Sequence, residues 1–348
     1  MTDETRVDAR VRAGFATQAE WCTAMGAPFL ARICTILSEK LDRTTATGRR
    51  VLDWPTAPLV DALPLRLTGG LQALVRRGRL PALAAHWPPN VAGDDLDEAL
   101  IAAITDADAE LLPWLDGPPQ TNEVGRSGVL MAGLLVIAAE TGLPLALFEL
   151  GASAGLNLRL DAYAYDLGGR VIDTAGAPIT LTPRWTGNPP AAATVTVANR
   201  RGVDLNPLDV TDSATVERLL AYVWAEQNER VERLTAALAA TAGDPPAIDR
   251  EDAAGWVERR VAPTPGVATV VMHSIAFQYF PAESRDRITA HMAARGAKAT
   301  AEAPLAWLRY ELEPEAGAAT LRLTLWPGGE DRRLAKAHPH GTWIEWLA

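Results

Sequence analysis

Only two cysteines, Cys22 and Cys34, occur in 348 residues. Neither sits at a metal-type or redox-motif spacing, so no disulfide framework and no cysteine-based metal centre is indicated. A reducing, cytoplasmic setting is expected. Both fall in a helical pattern and read as buried thiols. Aromatic residues are scarce, at 6%. Positive charge is in deficit, with 33 Lys+Arg against 43 Asp+Glu and a net charge of -10. Nucleic-acid binders draw their affinity from cationic side chains at phosphates, so no nucleic-acid partner is expected. The longest clean apolar run, VLMAGLLVIAA at 129–139, is too short to cross a bilayer and reads as a buried helix. The opening MTDETRVDAR has no apolar core, so neither a signal peptide nor a membrane association is expected.

With 48% hydrophobic residues, the chain can bury one large core or two smaller ones. The first third reads helical. Val7, Val11, Phe15, Cys22, Met25, Phe29, Ile33, Leu37 and Leu41 recur at three-to-four spacing with one longer gap. Gly26-Ala27-Pro28 splits this pattern in two. Further helical patterns cover 58–85 and 96–115, and no strand signal of any strength precedes residue 140. An all-α N-terminal domain over 1–120 is therefore expected.

The character changes over 121–348. A helix at 124–140 leads to a strand at 145–150. Strand-like runs follow at 195–205, 247–252 and 267–273, separated by a long helix at 211–240. A helix at 283–295 ends at Gly296, which reads as its C-cap. Runs at 305–312, 320–326 and 342–347 lie too close together for helical crossovers. Alternating strands and helices imply a mostly parallel α/β sheet, Rossmann-like, with an antiparallel C-terminal edge.

The most informative stretch is LALFELGASAGLNL, a short strand running into a glycine-rich turn. It admits two readings. Gly151-Ala152-Ser153-Ala154-Gly155 matches G-x-S-x-G, the elbow that presents a serine nucleophile. The same residues after Glu149 match an acid followed by spaced small residues, the way a nucleotide-like ligand is cradled after the first strand of a Rossmann-like sheet. The elbow needs several preceding strands and an upstream oxyanion loop, and neither is evident. The cradle gains support downstream. GVDLNP puts Asp204 at the end of the next core strand, placed for ribose hydroxyls. A third strand ends near Asp252, placed for an adenine amine or for capping the next helix. A fourth ends at His273 and Ser274.

The order E-x-G-x-S-x-G, then GVDLNP, then an acid after a third strand resembles class I S-adenosylmethionine-dependent methyltransferases over about 145–280. The whole chain also resembles a bacterial family of unknown function. The stretches that carry this likeness are TNEVGRS, ELGASAGLNL, GVDLNPLDV, HS with FQY, WPGGE and HPHGTWIEW. The first resemblance implies S-adenosylmethionine as cofactor. Glu149, Gly151, Ser153, Gly155 and Asn157 would then surround its methionine part, Asp204 its ribose and Asp252 its adenine. A departure is that Asp204 follows the turn at far more than the roughly 20 residues of a compact unit. The intervening 161–190 reads as a β-rich insertion.

His273, at the end of a buried strand, is the expected base for an acceptor proton, with a hydrogen-bonded core histidine as the other reading. Arg126, Ser274, Gln278 and Tyr279 are candidates for substrate contact. Arg126 equally suits a tie within the fold. His338 and His340 lack a third ligand nearby, so no metal is expected. Composition favours a small molecule or a protein as substrate, and nothing sets an oligomeric state. A non-catalytic cofactor-binding module and a serine hydrolase using Ser153 stand as the alternatives.

Overall fold

The computed structural model describes residues 3–348. The chain is mixed α/β with a large, mostly parallel sheet. It divides into two compact units. One comprises the residues up to Thr121 together with Ser213–Glu232, and the other comprises Asn122–Asp212 and Arg233–Ala348.

The first unit carries α1 (Asp3–Ala24), α2 (Pro28–Lys40), α3 (Ala46–Leu52), α4 (Leu63–Arg76), α5 (Pro81–Ala84), α6 (Leu96–Asp106) and α7 (Asp108–Leu111). Phe15, Ile33, Leu37, Leu67, Leu71 and Leu100 meet in its core. The break between α1 and α2 follows from Gly26, at φ 75°, and from Pro28 at the start of α2. Proline has no N–H to lose at a helix start. The single helix expected at 211–240 is instead two, α9 (Ser213–Ala221) and α10 (Asn228–Ala242), after α8 (Arg126–Thr141) of the other unit. The reason is that the residues between them serve other partners. Val223 O accepts from Gln72 Nε2 at 2.8 Å, and Glu226 Oε1 accepts from the α2 amides of Phe29 and Leu30 at 3.0 and 3.2 Å.

The second unit holds the sheet. Its strands are β1 (Leu145–Leu150), β2 (Ala164–Leu167), β3 (Arg170–Ile172), β4 (Thr180–Leu181), β5 (Arg184–Thr186), β6 (Val197–Asp204), β7 (Ile248–Arg250), β8 (Ala268–Ser274), β9 (Leu305–Glu313), β10 (Ala318–Trp326), β11 (Asp331–Ala337) and β12 (Trp343–Trp346). The main sheet runs β5-β12-β11-β10-β9-β8-β1-β6-β7. From β9 to β7 the neighbours are parallel, whereas β9 to β12 pair antiparallel. Strands β2, β3 and β4 form a small second sheet. Two further helices are α11 (Ala253–Arg260) and α12 (Ala282–Gly296). They pack Trp256, Val257, Ile288 and Met292 on Leu150, Val203, Val271 and Trp307.

Strand β11 had no counterpart among the expected runs. Its sequence, DRRLAKA, is charged, and Arg332 and Arg333 form ion pairs with Glu140 and Glu313. Gly296 does not cap α12. It lies inside the helix, the cap is Ala297 in right-handed backbone, and a Cβ on Gly296 would fall 2.4 Å from the Trp326 ring. The glycine therefore serves close packing of a helix on an indole. Replacing it should overpack the contact, which costs about 1–3 kcal/mol. Valine recovers little of that through helix propensity. Gly296→Val is expected to lower the denaturant midpoint of unfolding by a corresponding amount, and an unchanged midpoint would refute the packing role.

Candidate functional site

Polar residues converge where the strand order reverses, at the carboxyl ends of β1, β6 and β8. In open α/β sheets this reversal opens a crevice where ligands bind. The turn after β1 contains three residues with left-handed backbone: Gly151 at φ 69°, Ser153 at φ 54° and Gly155 at φ 74°. Gly151 and Ala152 donate to Val203 O at 2.9 and 3.1 Å. The Ser153 amide donates to Asp204 Oδ2 at 2.9 Å, and Asp204 Oδ1 accepts from the Asn206 amide at 2.8 Å. Asp204 thus holds the turn through the backbone. Side-chain bonds fix its far end. Asn122 Oδ1 accepts from the Leu156 amide at 2.9 Å, and Ser127 Oγ donates to Asn157 Oδ1 at 2.7 Å.

The glycines of the turn are demanded by protein neighbours. A Cβ on Gly151 would lie 2.7 Å from Ala276 Cβ, and one on Gly155 would lie 2.5 Å from Pro246 Cγ. Ser153 is different. It tolerates a conformation that non-glycine residues seldom adopt, and its Oγ is buried with no hydrogen-bond partner.

Glu149, in β1, is the most strongly shifted acid beside this turn. It is 1% exposed, its Oε2 has no partner, and its Oε1 has a long 3.5 Å contact from Asn157 Nδ2. Burial pushes its carboxyl up to about 8. Nearby Asp204 adds to the rise, while Asn157 and the Arg126 charge oppose it. At neutral pH this carboxyl holds its proton.

Residues named from the sequence fall on two faces of the sheet. Glu149 lies opposite Met272, and Phe148 lies opposite Val271. Side chains alternate along a strand, so His273 shares the face of Val271 and Phe148 and is turned from Glu149. Its ring is 1% exposed. Nδ1 lies 2.6 Å from Glu311 Oε1, and Nε2 accepts from Trp307 Nε1 at 3.1 Å. An indole N–H only donates, so Nδ1 carries the ring proton and donates it to Glu311. Phe277 stacks on the ring at 4.7 Å and 15°. His273 therefore matches its alternative reading, a hydrogen-bonded core histidine. As a base it would first have to give up Trp307.

Glu311, which the sequence reading passed over, organises this second cluster. Its Oε1 also accepts from the Ala276 and Phe277 amides, each at 3.1 Å. Burial raises the Glu311 carboxyl, but the hydrogen bonds from His273 and the two amides outweigh it, and the net shift is downward. It holds the turn that contains Ile275, whose φ of 50° is rare for a β-branched residue. A signal existed in the sequence: Glu311 has the parity of buried Trp307 within β9.

Arg126 ties parts of the fold together. Nη1 donates to Ser274 O at 2.8 Å and Nε to Pro339 O at 3.0 Å. Gln278 and Tyr279 are exposed on the short helical turn Phe277–Tyr279. Ser274 lends Arg126 its carbonyl and is itself buried. Asp252 caps α11 through the Ala254 and Gly255 amides at 3.0 and 3.1 Å, and it accepts from Ser284 Oγ at 3.1 Å. The capping reading of Asp252 is the one its hydrogen bonds follow. His338 Nδ1 accepts from the His340 amide at 3.1 Å. Among the described residues, no three His, Cys, Asp or Glu are grouped to hold a metal.

Residues 12–346 match a family described as an uncharacterized protein conserved in bacteria (DUF2332). The chain belongs to that family. None of the curated proteins matches the chain. Several of the stretches that carried the likeness meet in the fold, since Arg126 joins TNEVGRS to HPHG and to the end of β8, and Asn122 and Ser127 join it to the glycine turn. No helix among the described residues is long and apolar enough to cross a membrane.

Glu149 sets a measurable pH dependence. Its carboxyl titrates at 4.5 when unperturbed and at about 8 in the fold. The unfolded chain therefore ionises first. The stability associated with the protonated carboxyl is complete below about pH 4.5 and is lost at roughly 1.4 kcal/mol per pH unit until about pH 8. Glu149→Gln removes the titration. The variant is expected to gain on the native protein as pH rises from about 5 to about 8. Parallel stability profiles from denaturant titrations would show that Glu149 ionises normally.

Proposed function

We propose that the chain is an S-adenosylmethionine-dependent methyltransferase acting on a small molecule or a protein. In this reading a helical N-terminal domain precedes a Rossmann-like catalytic domain. The observation that carries it is the strand order. Taken in chain order, the five parallel strands β1, β6, β7, β8 and β9 lie in space as third, second, first, fourth, fifth. This is the doubly wound order whose reversal beside the first strand forms a nucleotide crevice. In this reading the glycine turn after the first strand and the acid after the second would line that crevice.

The residues present suit such a cofactor in three respects. Each Asp204 oxygen accepts one amide, and a carboxylate offers about four acceptor positions, so capacity remains for two ribose hydroxyls. Glu149 Oε2 and Ser153 Oγ are polar atoms beside the turn without protein partners. The turn itself is built of small residues, Gly151-Ala152-Ser153-Ala154-Gly155, of which Gly151 stays half-buried. Asp204 would hold the ribose and the 151–157 turn the methionine part. Asp252, engaged in its cap, contributes less than the sequence suggested. The cofactor supplies a methyl group on a positively charged sulfur. The protein's task is then to align an acceptor behind that methyl, and positioning carries most of such catalysis. His273 receives no part in proton removal here, because both ring nitrogens are engaged.

A second reading has one observation in its favour. Ser153 combines the G-x-S-x-G pattern with left-handed backbone and an unpartnered Oγ. A serine hydrolase needs a base at that oxygen, and His273 is committed elsewhere. Labelling by a fluorophosphonate, abolished in Ser153→Ala, would favour it.

Calorimetric titration with S-adenosylhomocysteine tests the main reading. The native protein is expected to bind with a dissociation constant on the order of 1–10 μM, and Asp204→Ala at least about tenfold more weakly. Circular dichroism would establish that the variant folds. No binding by the native protein would overturn the proposal. Binding without methyl transfer to any acceptor would leave a cofactor-binding module instead.

A further inference from the structure

A cavity of about 540 Å³ lies within the second unit. Met131 and Leu135 of α8 supply its apolar part, and two extended stretches flank it, β3 and the segment 192–195 that leads into β6. The volume falls within the roughly 300–1,000 Å³ of ligand sites. Arg170 Nε donates to Pro190 O at 3.4 Å, so the two stretches border one opening. Both carry unpaired backbone. β3 is an edge, since its sheet runs β3-β2-β4. Gly168 and Gly169, at φ 67° and 90°, make the two-residue turn between Leu167 and Arg170. The pair flanking such a turn is hydrogen-bonded and the next pair is not. Val171, opposite Asp166, therefore turns its N–H and C=O away from β2. The backbone of 192–195 has no hydrogen-bond partner among the described residues. Its residues alternate between exposed and half-buried, the period of a strand without a neighbour.

We propose that this cavity is a docking slot for an extended peptide bearing a carboxylate, which adds to β3 as a strand. In this mode main-chain hydrogen bonds give affinity and alternate side chains give specificity. The unpaired groups of Val171 form the template, as at any open sheet edge. Charge selects the occupant. Arg170 is half-buried, and its one hydrogen bond among the described residues leaves both terminal nitrogens unengaged. A guanidinium fork matches a carboxylate. Asp161, which also lines the cavity, does not oppose this, because Arg200 holds its two oxygens at 2.6 and 2.7 Å. Asp173 lines it too, but that residue is exposed and solvent screens its charge. Met131 and Leu135 suit an apolar side chain of the same peptide. A compact apolar solute would use neither the cation nor the backbone of the two stretches. This inference is independent of the proposed activity.

The test selects from a library of short random peptides with free carboxyl ends on the full native chain. A selected peptide is then followed by fluorescence anisotropy. Replacing its carboxylate by an amide should weaken binding to the native chain at least about tenfold. Arg170→Gln should show the same loss, and the amide peptide should lose nothing further on that variant. Val171→Pro should weaken binding about fivefold, the worth of one hydrogen bond. Proline there removes an N–H that β2 does not use, so circular dichroism should be unchanged. N-methylation of the central peptide amides reads the same contact without altering the protein, and it should abolish binding. Failure to select any peptide would overturn the proposal. So would binding that Arg170→Gln leaves intact, or binding indifferent to every N-methylation. A dimer in sedimentation that Val171→Pro dissolves would assign the slot to a second copy of the chain and overturn it as well.

Discussion

The bond from the Ser153 amide to Asp204 Oδ2, 2.9 Å long, is the constraint on which the turn after β1 depends. The turn after β1 passes three residues through left-handed backbone, and only two of them are glycines. Holding a non-glycine residue there costs about 1–3 kcal/mol. Ser153 keeps its place because its N–H meets a carboxylate, a charge-assisted and therefore stronger hydrogen bond. Asp204 is in turn fixed by β6, which pairs with β1 on one side and β7 on the other. Through one carboxylate, the turn, the sheet and the loop at Asn206 share a geometry.

A second carboxylate, on β9, does the same for another turn. Glu311 holds the turn after β8 through two amides and through His273. The two turns touch where Gly151 meets Ala276. Contrast with Glu149 shows what decides the behaviour of a buried acid. Glu311 has three donors and its carboxyl is shifted downward, whereas Glu149 has one long contact and is shifted up to about 8. Burial acts on both. The supply of hydrogen-bond donors decides the sign.

Much of this was legible in the sequence. β1 was located to the residue because an apolar run stands between Gly142-Leu143-Pro144 and Gly151. The glycine turn and Asp204 followed from strand ends. What stayed hidden depends on partners distant in sequence. The roles of Glu311 and of Arg126 are set by contacts 38 and 148 residues away. β11 was masked by charges that find ion pairs only when the sheet forms. The break before α10 was invisible because Gln72 and α2 claim its polar groups. Gly296 was read by local rules as a cap, and its reason is an indole 30 residues on. His273 was read for chemistry because a histidine ended a buried strand. Trp307, which occupies its Nε2, lies on the next strand.

The division of the sheet into two faces bears on the proposed chemistry. An ionisable group suited to proton transfer has to reach the reacting atoms. His273 and Glu311 form a closed cluster on the face covered by Trp307 and Phe277. The other face offers Glu149, protonated at neutral pH and so able to donate a hydrogen bond but unable to accept a proton. Asp204, on the same face as Glu149, is engaged by the amides of Ser153 and Asn206. In the proposed methyl transfer the sulfonium is already activated, so alignment is the principal demand. Hydrolysis through Ser153 would require a base at its Oγ, which has no hydrogen-bond partner. Under that proposal the acids of the two turns and His273 hold the backbone in place rather than transfer a proton.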